Sequence, residues 1–233
     1  MDRKGLKNLS KQQLKGHWKV PVLITLIYCA LIFPFEFIPS DSTFFMLISL
    51  AVILCLEVWA CVGLPKFYLE FIKKSSEATY SDLKVSKSAI LKSLGFTVIV
   101  SIVGAIAGGI ISFILIGSIG VALFSSASIS GLTWGAIIVV ALISVALVVF
   151  NLAVGLAPYI FVDKEELKLF ESIGLSIKMM KGNKWKFFVL QLSFIGWGLL
   201  ATVTVIGLLW FIPYMQMTVT NFYKSLDYSK DIA

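Results

Sequence analysis

Long uninterrupted apolar runs decide what this chain can fold into. They cover residues 20–39, 44–64, 94–124, 132–162 and 187–219. A helix needs about 20 apolar residues to cross a hydrocarbon core roughly 30 Å thick. In lipid a backbone must satisfy its own hydrogen bonds, and a helix does so within one segment. The composition agrees. The 233 residues are 58% hydrophobic and 14% charged, against about 45–50% and about 25% for soluble domains. The expected fold is an all-α, polytopic transmembrane helix bundle forming one integral membrane domain over 1–233.

The last run is too long for one straight helix, about 50 Å at 1.5 Å per residue. Ala201-Thr202-Val203-Thr204-Val205-Ile206-Gly207 is a run of β-branched residues ending in glycine, which weakens helix propensity. It divides the run into spans over 187–203 and 208–224. The six expected spans are then 20–39, 44–64, 94–124, 132–162, 187–203 and 208–224, arranged as three helical hairpins. A single overlong final helix with an external C-terminus is the alternative.

Charge placement supports an even number of spans. The 20 bases fall in the N-terminal segment, the second and fourth connections and the C-terminal tail. The first, third and fifth connections carry none. Positive-inside bias makes the basic side cytoplasmic, with both termini there and the bacterial plasma membrane as the expected location. The net charge of +7 therefore reflects topology. Arg3 is the only arginine, so the bidentate contacts typical of nucleic-acid recognition are nearly unavailable, and no nucleic-acid partner is expected.

Enzyme chemistry has little material. Cys29, Cys55 and Cys61 sit inside apolar runs, and His17 is the only histidine. No metal-ligand spacing, nucleophile elbow, P-loop or pair of intramembrane carboxylates occurs. No catalytic, cofactor-binding or metal site is expected.

Two kinds of site candidate remain. Lys4, Lys7, Lys11 and Lys15 recur every three to four residues within the basic segment 1–19, sharing one helical face. That pattern suits an interfacial helix on anionic lipid, or a solvated helix that only sets topology. Glu57 lies inside the second span. An intramembrane carboxylate is a functional candidate by default, although pairing or hydrogen bonding within the bundle would also account for it. Asp163 with Glu166 resembles a capping box opening an amphipathic helix. Leu167, Phe170, Ile173, Ile177 and Met180 would form its apolar stripe. Asn151, Gln191 and Gln216 are expected to bond between helices, and Gly104–Gly108 forms a G-x-x-x-G suited to close helix contact.

A rough repeat is visible. Lys15-Gly16-His17-Trp18-Lys19 precedes the first span, and Lys181-Gly182-Asn183-Lys184-Trp185-Lys186 precedes the fifth. Lys92-Ser93-Leu94-Gly95-Phe96 is a weaker counterpart before the third. The second, fourth and sixth spans each carry a proline near an aromatic residue: Pro65 before Phe67-Tyr68, Pro158 before Tyr159, and Pro213 before Tyr214. The unit would be an interfacial segment followed by a helical hairpin.

The C-terminal third reads Leu192-Ser193-Phe194-Ile195-Gly196-Trp197 and Leu209-Trp210-Phe211-Ile212-Pro213-Tyr214, followed by Asn221-Phe222-Tyr223-Lys224-Ser225-Leu226. With Leu14-Lys15-Gly16-His17-Trp18 near the start, it resembles the DUF 975 family of bacterial integral membrane proteins, which has no assigned biochemical function. The resemblance implies a multi-span protein and a short hairpin after residue 187. The family is distantly similar to the membrane domain of some glycerophosphodiester phosphodiesterases. Their catalytic barrel has no counterpart in this chain, so no activity is implied.

The leading expectation is a non-enzymatic accessory or envelope protein binding membrane lipids or a membrane-protein partner. The alternatives are a small permease or exporter subunit with Glu57 in its pathway, and an immunity-type protein against a membrane-active peptide. The sequence does not specify an oligomeric state.

Overall fold

The computed structural model describes residues 2–36, 43–74, 77–124, 129–204 and 206–227. Among them every regular element is helical: α1 (Arg3–Leu14), α2 (Lys19–Glu36), α3 (Thr43–Lys73), a short 3-10 turn (Tyr80–Leu83), α4 (Lys87–Phe124), α5 (Ile129–Val154), α6 (Ala157–Asp163), α7 (Leu169–Met180), α8 (Lys184–Thr204) and α9 (Leu208–Asp227). The first and third connections, 37–42 and 125–128, lie outside the described residues. Four helical stretches are long and apolar enough to cross a membrane, or five if α1 and α2 form one broken span.

The buried core gathers at one end. In α3 the residues from Val62 to Pro65 and from Phe67 to Leu69 are buried, while Phe44, Phe45, Met46 and Leu47 are exposed. Ile102, Ile106 and Phe113 on α4 and Leu142 and Val145 on α5 are exposed as well. An apolar surface of that extent exceeds what soluble monomers leave to water and is compatible with lipid contact. One buried cluster joins Leu6, Leu156, Ile160, Met180, Leu190, Phe222 and Leu226. A second joins Leu14, Ile24, Leu64, Phe67, Tyr68, Phe71 and Met217.

Helices α8 and α9 run antiparallel. Phe187 stacks on Phe222 at 5.0 Å, and Phe194 meets Tyr214 edge-on at 5.6 Å. A Cβ on Gly198 would touch the Phe211 ring, and one on Gly207 would lie 2.6 Å from Thr204 Oγ1 and 2.9 Å from Ala201 Cα. Only glycine fits that turn. The pair is short. Met217 belongs to the cluster containing Leu64, and beyond that level α9 rises about 14 Å to Leu208, while α3 rises about 32 Å to Thr43.

Two turns have the same shape. Lys15 ends α1 at φ −62°, ψ 121° and Lys181 ends α7 at φ −64°, ψ 120°. Gly16 and Gly182 follow with φ of +84° and +81°, the left-handed region in which a Cβ is disfavoured. The sequence repeat Lys-Gly before a tryptophan thus marks a shared joint from amphipathic helix to long apolar helix. At the first joint the chain bends by 97°. The weaker counterpart, Lys92–Phe96, lies inside α4 and makes no such turn.

Asp163 does not cap the amphipathic helix. It closes α6, and its carboxylate is 9% exposed. Oδ2 accepts from Tyr223 Oη and Lys224 Nζ, each at 3.0 Å, and Lys73 Nζ lies 3.8 Å from Oδ1. The ends of α3, α6 and α9 are thereby tied together. The start of α7 is instead marked by the Lys168 amide donating to the Glu171 carboxylate at 2.8 Å. The expected stripe on α7 is also half inverted. Phe170 and Ile177 are exposed, while Ser172, Ser176, Met179 and Met180 are buried. Small serines let α7 approach closely, and Ser176 donates to the Ala153 carbonyl at 2.9 Å.

Gly16→Ala and Gly182→Ala should each lower the unfolding midpoint in detergent, at a cost of about 1–2 kcal/mol for the left-handed backbone. Gly174→Ala, inside α7 with open space around it, should be neutral or mildly stabilising. Asp163→Asn should destabilise by about 1–3 kcal/mol, because hydrogen bonds to a charged acceptor are lost; the exposed Lys73 contributes little of this. Equal midpoints for Asp163→Asn and wild type would remove the clamp from the account.

Candidate functional site

The rotation of α1 is set from the far end of the chain. Leu6, Ser10 and Leu14 are buried. Asn221 on α9 donates to Ser10 Oγ at 2.9 Å and Gln13 Oε1 at 2.7 Å. At about 100° per residue, Lys4, Lys7 and Lys11 then lie roughly a quarter turn from the buried face. They face α8 and α9. Lys7 Nζ donates to the Ser193 carbonyl at 3.1 Å and lies 4.1 Å from the Phe194 ring centroid. Lys11 Nζ is 5.7 Å from the Tyr214 ring.

These lysines floor a cleft of about 730 Å³. Asn8 joins them. Trp18, Trp197, Leu200, Trp210 and Phe211 form the walls, and Thr204 and Gly207 lie at the α8–α9 turn. From Trp197 to Thr204 the slot runs about 10 Å. Among the described residues no carboxylate forms an ion pair with Lys4, Lys7 or Lys11. Burial, and then the charges of Arg3 and Lys11, hold the Lys7 amine below the ordinary lysine range. Other lysines are stapled to the backbone, as Lys66 is to the Lys84 carbonyl and Lys92 to that of Glu165, each at 2.7 Å. Lys4, Lys7 and Lys11 line one space, with Lys7 also held by the Ser193 carbonyl. Chemically, the arrangement offers cations at one end and an apolar aromatic slot at the other, a fit for an anion with a hydrocarbon tail.

Lys15 does not join the other three. It is the exposed residue closing α1 and does not line the cleft. Glu57 sits on the exposed face of α3, within electrostatic reach of Tyr28 on α2. No lysine among the described residues pairs with it.

A second cavity, about 490 Å³, lies between α3, α6, α8 and α9, with Gly155 of the α5–α6 turn. Cys61, Pro65, Pro158, Tyr159, Gln191 and Gln216 line it, and it holds no lysine or carboxylate. Pro65 leaves the Cys61 carbonyl without its helical donor. Tyr159 Oη donates to Gln216 Oε1 at 3.2 Å. Glu57 lines neither this cavity nor the cleft. Among the described residues no three His, Cys, Asp or Glu side chains are grouped to hold a metal.

The cleft walls come from the motifs that stand out in the sequence. Trp197 belongs to Leu192–Trp197, whose Ser193 and Phe194 contact Lys7; Trp210, Phe211 and Tyr214 belong to Leu209–Tyr214, and Trp18 to the Lys-Gly turn. A family model described as protein of unknown function (DUF975) matches residues 1–230. The chain belongs to that family. No curated protein and no solved structure matches it. What the sequence does not show is that the three DUF975 motifs meet α1 in one place. Only the unusual density of tryptophan and tyrosine in them hinted at a shared surface.

Asn221→Ala removes both polar ties to α1 and leaves Ser10 and Gln13 without their donor. We expect a loss of about 1–3 kcal/mol and faster amide hydrogen exchange over residues 3–14. Unchanged exchange there would show that the helix is seated without Asn221.

Proposed function

We propose that this DUF975 member is a non-enzymatic integral membrane protein that recognises anionic lipid at its cytoplasmic face. The observation that carries this reading is the group of Lys4, Lys7 and Lys11, without a carboxylate partner among the described residues, lining an aromatic slot. Juxtamembrane lysines are each worth about 1 kcal/mol against an anionic leaflet, and tryptophan and tyrosine favour the headgroup level. Charge placement supports six membrane-inserted helices, α2, α3, α4, α5, α8 and α9, in three hairpins with both termini cytoplasmic. In this arrangement α8 and α9 enter less deeply than α3. The near right angle between α1 and α2 would lay α1 in the plane of the interface. A permease role for Glu57 draws no support from either cavity.

Anionic lipid should stabilise the folded protein by mass action. In phosphatidylcholine nanodiscs, adding phosphatidylglycerol should raise the thermal midpoint. The Lys4→Gln/Lys7→Gln/Lys11→Gln variant should lose that rise. A rise of equal size in the variant would separate the lysines from lipid recognition. On a Cys-free background, single cysteines at Gln12 and Ser81 should react with an impermeant reagent only after permeabilisation; labelling of intact cells at either position would reverse the topology.

A further inference from the structure

The cleft is more selective than a charged surface. A basic face on an interfacial helix attracts any anionic leaflet, and its partners are many headgroups at once. Here Lys4, Lys7 and Lys11 line one concave space, beside Asn8. Lysine is a compact point charge with no planar fork, suited to phosphate rather than to paired recognition of a planar carboxylate. Three ammonium groups without a carboxylate exceed what the single charge of a phosphodiester neutralises. A phosphomonoester carries about −1.5 to −2 near pH 7, and a diphosphate carries more. On α8 the slot runs from Trp197 to Thr204, about 10 Å, roughly a third of a hydrocarbon core about 30 Å thick. It accommodates part of one hydrocarbon chain. Its walls are apolar, with the indoles of Trp197 and Trp210 on opposite helices of the hairpin.

We propose that the cleft binds a single membrane lipid whose headgroup is a phosphomonoester or diphosphate. Lys4, Lys7 and Lys11 hold the phosphate, and a hydrocarbon chain lies between Trp197, Leu200 and Trp210. This rests on the lipid-recognition reading above and narrows it to one ligand class. Lys15 takes no part, because it lies outside the cleft.

The test uses the full chain in phosphatidylcholine nanodiscs. Phosphatidic acid or phosphatidylglycerol with brominated acyl chains is added at matched mole fraction, and quenching of tryptophan fluorescence is read. Phosphatidic acid should reach half-maximal quenching at about a tenfold lower mole fraction than phosphatidylglycerol, as expected if each extra charge contact is worth several-fold. Lys7→Gln/Lys11→Gln should abolish the preference. Lys7→Arg/Lys11→Arg, which keeps the charge, should retain much of it, and Lys15→Gln should retain all of it; unchanged circular dichroism guards against unfolding. Equal, lysine-dependent quenching by both anionic lipids would overturn the narrow proposal and leave general anionic-lipid recognition standing. Equal quenching by brominated phosphatidylcholine would overturn both. If inorganic diphosphate competes as strongly as phosphatidic acid, the slot adds nothing and the ligand is not a lipid.

Discussion

One carboxylate holds the basic end of the molecule together. Asp163 accepts from Tyr223 and Lys224 on α9 and faces Lys73 at the end of α3. Around it the chain is stacked with aromatic rings, such as Tyr159 on Tyr223 at 5.5 Å. Apolar packing is non-directional and leaves helices free to slide or rotate against one another. A charge-assisted contact to donors on two helices does not. Because α9 is positioned there, Asn221 is positioned too, and through it the rotation of α1. The lysines reach the cleft only at the end of that chain of contacts.

The two halves of the structure are stabilised differently. Near the clamp, side chains are buried against one another as in a soluble core. Farther along α3, α4 and α5 the apolar side chains point outward, so protein contacts alone leave those segments loosely constrained. The glycine pair Gly104 and Gly108 has open space around it and therefore serves no internal helix contact. The uneven heights of α3 and the α8–α9 hairpin leave a step in the bundle wall, and the cleft lies between that hairpin and α1.

Much of this was legible in the sequence, and the limits were physical. Apolar runs signal helices directly, because lipid allows few other backbones. The Lys-Gly joints were visible as repeats, since a left-handed turn demands glycine locally. The spacing of Lys4, Lys7 and Lys11 showed that they share a face. The direction of that face depended on Asn221 and Ser193, about two hundred residues away, and local periodicity carries no such information. Asp163 was misjudged for the same reason. Its spacing to Glu166 imitates a local cap, whereas its partners are Lys73, Tyr223 and Lys224. On α7 the apolar stripe left out Ser172 and Ser176, yet they are buried and permit close packing. Trp197 and Trp210 stand in separate motifs in the sequence, and only the hairpin brings them into one cleft with α1.

The seat of α1 also has a temporal side. Ser10 and Gln13 are made early in synthesis, and Asn221, their partner, is made more than two hundred residues later. Chains of this size assemble progressively from the N-terminal side. The first helix therefore lacks these two contacts until the last one is made. A chain that stalls or is clipped before Asn221 would keep its long apolar helices but lose the polar ties that fix the rotation of α1. Closing the ends and completing the site are one event.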